Sequence, residues 1–165
     1  MPSTFLPELP KLTIDQSDDN HLFDLLVQPL HEELYKRGDF AFMNELSEMQ
    51  QLLLSYDYLH TQAGQGGFIQ FLANGYAPLL MNMPEWLKKI NAHDMAQLID
   101  DVLKVFVLNH DFFKNEMSVE EFGKLYDELK EFEALDKRYQ ELNPQMTHKL
   151  MRYAREHLEE FARVI

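Results

Sequence analysis

Two Asp-x-x-His pairs, Asp18 with His21 and Asp57 with His60, have the spacing that puts a carboxylate and an imidazole on one face of a helix. Helical di-metal carboxylate proteins use such i, i+3 pairs, with further carboxylates and orienting partners on facing helices. Those centres mostly take glutamate, however, and Asp18 falls at a helix start, where an aspartate caps exposed amides. A cap and a surface pair are therefore the simpler account. His31-Glu32-Glu33, His93-Asp94 and His110-Asp111 resemble acid/base couples, but neighbours on a helix point about 100° apart and cannot orient one another. Gly64-Gln65-Gly66-Gly67 suggests a phosphate nest, yet no lysine or arginine lies within ten residues on either side. There is no nucleophile elbow, no phosphate loop ending in Lys-Ser or Lys-Thr, no dinucleotide fingerprint and no His-Glu-x-x-His. The expectation is a protein with no catalytic residues, no metal and no cofactor.

What stands out is charge. Across 165 residues, 28 acids face 15 bases, a net −13 with histidine neutral. An anionic surface repels nucleic acid and anionic lipid, so direct binding to either is not expected. With 45% hydrophobic and 12% aromatic residues there is ample material for a core, and the acidity does not signal disorder. The absence of cysteine excludes a disulfide scaffold, a thiolate nucleophile and cysteine-held metal centres, and points to a reducing cytoplasm. Met1–Pro7 lacks the charges and apolar run of a secretory signal. Residues 1–60 carry 11 acids against 3 bases, residues 61–113 carry 5 against 3, and residues 114–165 carry 12 against 9. The amino-terminal third thus holds most of the excess.

The elements that must position these groups read as helices. Pro2, Pro7 and Pro10 make residues 1–12 an extended arm. Leu22, Phe23, Leu26, Leu30 and Leu34 fall at helical spacing between Asp19 and Arg37, with Pro29 predicted to kink or split the helix and Gly38 to stop it. A second helix is expected from Phe40 to Thr61, breaking at residues 63–67 before a short helix, Phe68–Ala73, ended by Asn74-Gly75. Another short piece follows Pro84, and Asn91 is placed to cap a helix carrying Met95, Leu98, Ile99, Val102, Leu103 and Phe106. Ser118-Val119-Glu120-Glu121 matches a capping box whose helix carries a stripe from Val119 through Phe122 and Leu125. The last helix is expected from Asn143-Pro144 through Phe161. No segment alternates with period two, so the fold class is all-α, an irregular orthogonal bundle of about six to eight helices in a single domain, 1–165.

Gly66-Gly67-Phe68, with Gln70 two residues on and Asn74 near the helix end, resembles the signature of a bacterial family of acidic all-helical proteins named after a DNA mimic. The family has Asn-Gly-Gly-Phe at this turn, and this chain departs from it at Gln65. Phe132–Tyr139 and Leu150–His157 are similar to that family's closing helices, and the resemblance spans roughly residues 46–165. It implies an all-α fold, a homodimer and, in at least one member, binding to the DNA-binding surface of a transcription regulator. Gly66, Gly67, Phe68, Gln70 and Asn74 read as a structural motif: the glycines permit angles closed to side chains, Phe68 enters the core, and Gln70 and Asn74 can bond loop backbone.

The leading functional expectation is a non-enzymatic acidic interaction protein. Its carboxylates would occupy the nucleic-acid groove of a basic regulator of transcription, with complementary potentials giving fast, salt-sensitive association. The residues expected to meet the partner are Asp15, Asp18, Asp19, Asp24, Glu32, Glu33, Asp39, Glu45 and Glu48. One alternative is an immunity protein that neutralises a basic toxin such as a nuclease. Another, from a different class, is a metal-dependent helical enzyme using His21, His60 and nearby carboxylates. The exposed acidity is equally compatible with a role in solubility alone.

Overall fold

The computed structural model describes residues 2–165, so Met1 of the predicted arm lies outside the described residues. The fold is all-α. Among the described residues there are eight α-helices: α1 (Lys11–Gln16), α2 (Asp19–Arg37), α3 (Glu48–Ala73), α4 (Met83–Lys89), α5 (His93–Leu108), α6 (Val119–Glu128), α7 (Glu131–Leu142) and α8 (Met146–Glu156). Two short strands, β1 (Glu8–Leu9) and β2 (Arg163–Val164), complete the chain. No helix among the described residues is long and apolar enough to cross a membrane. The chain divides into two compact units, residues 1–54 with 145–165, and residues 55–144.

In the first unit, α2 runs without a break through Pro29. Proline removes one helical hydrogen bond, but Leu22, Phe23, Leu26, Val27, Leu30 and Leu34 are all buried along one stripe, and each such side chain is worth about 1.5–3 kcal/mol. That burial carries the helix past the proline. Gly38 ends it in the left-handed region at φ 65. α2 packs on α8, which buries Met146, Leu150, Met151 and Ala154. α8 stops at Glu156, and not at Phe161 as the apolar pattern predicts: His157 leaves helical angles and a 3-10 turn, Leu158–Glu160, follows. β1 and β2 pair in parallel, Glu8 opposite Arg163 and Leu9 opposite Val164.

The helix expected over residues 40–61 begins later than its pattern suggests. Phe40–Glu45 is a 3-10 turn, opened by the Asp39 carboxylate accepting the Ala41 N–H at 2.9 Å. The α-helix starts only at Glu48, because Ser47 and Gln50 form a reciprocal cap: the Ser47 hydroxyl accepts the Gln50 N–H (3.1 Å) and the Gln50 side-chain Oε1 accepts the Ser47 N–H (3.0 Å). Both side chains are buried. The Gln50 amide also donates to the Phe5 carbonyl at 2.8 Å, and the Ser47 hydroxyl donates to that of Glu160 at 2.6 Å. One cap therefore joins three stretches of chain within this unit.

In the second unit, α4 packs on α5 and α5 on α7. Phe68, Phe71, Leu98, Ile99 and Phe132 are fully buried, and the single tryptophan, Trp86 on α4, is buried as well. Asn91 does not head α5. It takes φ 60 in the tight link after α4, and Ala92 occupies the cap position. The Ser118–Glu121 capping box forms as expected, but Val119, on the first turn beyond it, is 90% exposed and belongs to no core stripe.

On α3 the Ser55 hydroxyl is buried and finds no hydrogen-bond partner among the described residues. An unmatched buried hydroxyl costs about 1–3 kcal/mol. Ser55→Ala should therefore raise Tm by about 2–4 °C per kcal/mol recovered, measured by scanning calorimetry.

Candidate functional site

All nine acids expected to meet a partner fall in the first unit, and most are held by neighbours. Asp18 is the cap of α2, its carboxylate accepting the His21 N–H at 2.8 Å. Asp39 caps the 3-10 turn. Asp15 pairs with Lys11, and Glu33 and Glu45 both pair with Arg37, the former at 3.0 Å. Asp19 lies 2.8 Å from His148 Nδ1 and 3.5 Å from Arg155. Arg155 in turn donates to the carbonyls of Ile14 (3.2 Å) and Ser17 (2.7 Å), which close the end of α1. Glu48 is exposed on the first turn of α3.

Asp24 and Glu32 differ from the rest. Both are exposed on α2, Asp24 with no partner among the described residues and Glu32 accepting only a long 3.4 Å bond from Gln28. Asp24, Gln28 and Glu32 are spaced by fours and so form one outward row, about 12 Å long at 1.5 Å per residue. Tyr35 follows at the end of the row, 90% exposed. Folding also places the carboxy-terminal bases in this unit, which carries 13 acids against 7 bases, a net −6.

The glycine turn lies in the second unit. Gly66 (φ −135, ψ 20) and Gly67 (φ 71, ψ −171) leave helical angles inside α3. The Phe68 N–H, the first amide of the restarted helix, donates to the Asp136 carboxylate at 2.8 Å, and the Tyr126 hydroxyl donates to the Gly66 carbonyl at 2.7 Å. A Cβ at Gly67 would stand 2.3 Å from Asp136 Oδ2, so only glycine admits this carboxylate. Gln70 and Asn74 do not bond loop backbone. Their amides donate to the Gln62 side-chain oxygen at 3.1 and 2.7 Å, and Gln70 also reaches Gln65 at 3.1 Å. Burial raises the Asp136 pKa above the ordinary aspartate value, opposed by the Phe68 hydrogen bond and assisted by Glu133. Asp136 and Tyr126 carried no signal in the sequence, standing some 60 to 70 residues from their partners.

Of the histidines weighed for chemistry, His21 is exposed and His60 sets Nδ1 3.2 Å from the Tyr139 hydroxyl. His110 and Asp111 do meet, at 3.1 Å, because they sit in a 3-10 turn and not on an α-helix; both are open to water. One group among the described residues has metal-ligand geometry, His157, Glu159 and Glu160, with donor atoms within 4.8 Å of one another. Glu160 already accepts the Tyr153 hydroxyl at 2.7 Å, and the His157 ring stacks on Tyr153 at 4.2 Å. Burial and that carboxylate push the Tyr153 pKa up to about 12. Within the group, His157 Nδ1 stands 3.6 Å from Glu160 and 3.9 Å from Glu159, and Glu159 is open to water.

Comparison with known proteins matches residues 44–157 to the family described as DMP19-like protein. A curated relative, the DNA mimic protein DMP19 of Neisseria meningitidis serogroup B, is 32% identical over 84 residues. That stretch covers 51% of this chain and 48% of the relative, so the chain spans about half the length of the protein it matches.

Gly67→Ala should destabilise the protein by about 3 kcal/mol or more, since a strained angle and a clash add. Gly38→Ala, at φ 65 with open space around it, should cost only about 1–2 kcal/mol; urea melts of both variants check the contrast. Because the folded-state pKa of Asp136 is raised, the folded protein binds this proton more tightly than the unfolded chain does. Stability relative to Asp136→Asn should thus rise as pH falls through the raised value towards the ordinary carboxylate range, and a pH series of urea midpoints reads the sign.

Proposed function

The chain belongs to the DMP19-like protein family, and on that premise we propose that it is a non-enzymatic, cytoplasmic DNA mimic that occupies the DNA-binding surface of a basic regulator of transcription. The observation that carries the reading is the outward row on α2, where Asp24 and Glu32 present carboxylates to solvent from a rigid helix. Their axial separation of about 12 Å is the span of a few phosphates along one strand, at about 3.4 Å each. Charges held this way attract a basic groove without the entropy loss of ordering a flexible acidic tail.

Asp15, Asp18, Asp19, Asp24, Glu32, Glu33, Asp39, Glu45 and Glu48 are the partner-binding residues of the proposal, in two roles. Asp24 and Glu32 face solvent and can pair with the partner directly, while Glu48 is exposed but already has a partner within the protein. The others shape the surface while serving as caps or as exposed ion pairs that solvent screens. The homodimer implied by the resemblance belongs to the same proposal and is read by sedimentation equilibrium.

The test is a pull-down with the tagged full chain, eluted by duplex DNA and identified by mass spectrometry. A DNA-binding protein released by duplex is the expected result, whereas a toxin, or no protein at all, overturns it. With the partner in hand, Asp24→Asn/Glu32→Gln should weaken binding about tenfold and flatten its salt dependence while leaving the circular dichroism spectrum unchanged. Unchanged affinity would remove α2 from the interface.

A further inference from the structure

The carboxy-terminal turn of the first unit carries a donor set that neither the acidic row on α2 nor the glycine turn uses. α8 ends at Glu156, His157 leaves helical angles at φ −138 and ψ 46, and Leu158–Glu160 continues as a 3-10 turn. That break brings the donors together. On an unbroken α-helix, residues 157 and 159 would point about 200° apart. A three-residue turn instead eclipses residues 157 and 160, and His157 Nδ1 comes to 3.9 Å from Glu159 Oε1 and 3.6 Å from Glu160 Oε2.

These separations are too long for hydrogen bonds, yet they suit a cation seated between the donors. A metal ion about 2.1 Å from each donor, at tetrahedral angles, holds the donors about 3.4 Å apart. Reaching that spacing takes only a small closure, which the exposed Glu159 side chain is free to make. Among the described residues the only ion-pair partner of Glu159 and Glu160 is His157, so no lysine or arginine neutralises the two carboxylates.

The surrounding groups are in place as well. The Tyr153 hydroxyl donates to Glu160 Oε2 at 2.7 Å and the Tyr153 ring stacks on the His157 imidazole at 4.2 Å, so one side chain orients two of the three ligands. The turn is fixed from both sides. The Ser47 hydroxyl donates to the Glu160 carbonyl at 2.6 Å, Phe161 is buried, and the Arg163 N–H donates to the Pro7 carbonyl at 2.9 Å. The donor types select the ion: an imidazole nitrogen with two carboxylates matches first-row transition dications, whereas magnesium and calcium take shells of oxygen.

We propose that His157, Glu159 and Glu160 form a binding site for a divalent transition-metal ion of the zinc type, with water in the fourth position. The ion clips the end of α8 to the turn that leads into β2. The site is independent of the DNA-mimic reading.

The test is isothermal titration calorimetry of the untagged, EDTA-stripped full chain with ZnCl2 at about pH 7.5, above the ordinary histidine pKa. One equivalent should bind, and a large excess of MgCl2 should not displace it. His157→Gln and Glu159→Gln should each weaken binding about tenfold or more, and Tyr153→Phe, which keeps the stacked ring and loses the hydroxyl, about tenfold. His21→Gln/His60→Gln should leave it unchanged. With zinc at about a hundredfold above its Kd, Tm should rise by about 5–10 °C, and by half that or less in Glu159→Gln at the same concentration. Circular dichroism spectra verify that each variant folds. No binding, several weak equivalents that the three site variants do not alter, displacement by magnesium, or loss only with His21→Gln/His60→Gln overturns the proposal.

Discussion

A half-buried carboxylate facing a backbone amide organises the glycine turn. Helix α3 cannot pass residues 66 and 67 as a helix, so its restart at Phe68 leaves an amide that must find an acceptor away from water. Asp136 supplies it from α7, and Tyr126 on α6 takes up the Gly66 carbonyl. Two polar groups of one turn are thereby matched by two different helices, and Phe68 is locked into the core beside them at 5.7 Å from the Tyr139 ring. The absence of a side chain at Gly67 makes this possible, because the space a methyl group would occupy already holds a carboxylate. Shielding that carboxylate partly from water is unfavourable in itself; the interaction persists because an unmatched amide at the same place would be worse.

How much of this could be read in advance depends on how local the cause is. Gly38 as a helix stop, the Ser118–Glu121 box and the buried stripe of α2 were all legible, because each rests on residues within a turn or two. The Ser47–Gln50 cap was equally local and legible in principle, but the apolar pattern of residues 40–61 masked it. Periodicity says which face is buried and not where a helix begins. Val119 shows the converse error, an apolar residue at helical spacing that lies beyond any core element. The partners of the glycine turn belong to another category. Nothing near residue 67 announces Asp136, and only tertiary packing brings it there.

The acidic surface follows the same division. Composition gave the net charge, and the row on α2 follows from helical geometry. What the sequence could not show is that bases from the carboxy-terminal segment fold into the unit holding the amino-terminal acids, or that most of those acids serve as caps and ion-pair partners. Charge counted along a chain overstates charge available at a surface, because local hydrogen bonds and pairs claim it first. Membership in the DMP19-like family and the exposed pair Asp24 and Glu32 together focus the functional argument on a few residues.

The placement of Trp86 has a spectroscopic consequence. It is the only tryptophan, buried on α4 in the second unit, while the first unit has none. Indole emission therefore gauges the environment of residues 55–144 alone, whereas far-UV circular dichroism weighs helices from both units. Superposable denaturation curves from the two signals would mean one cooperative transition, and separated midpoints would mean that the units melt in turn.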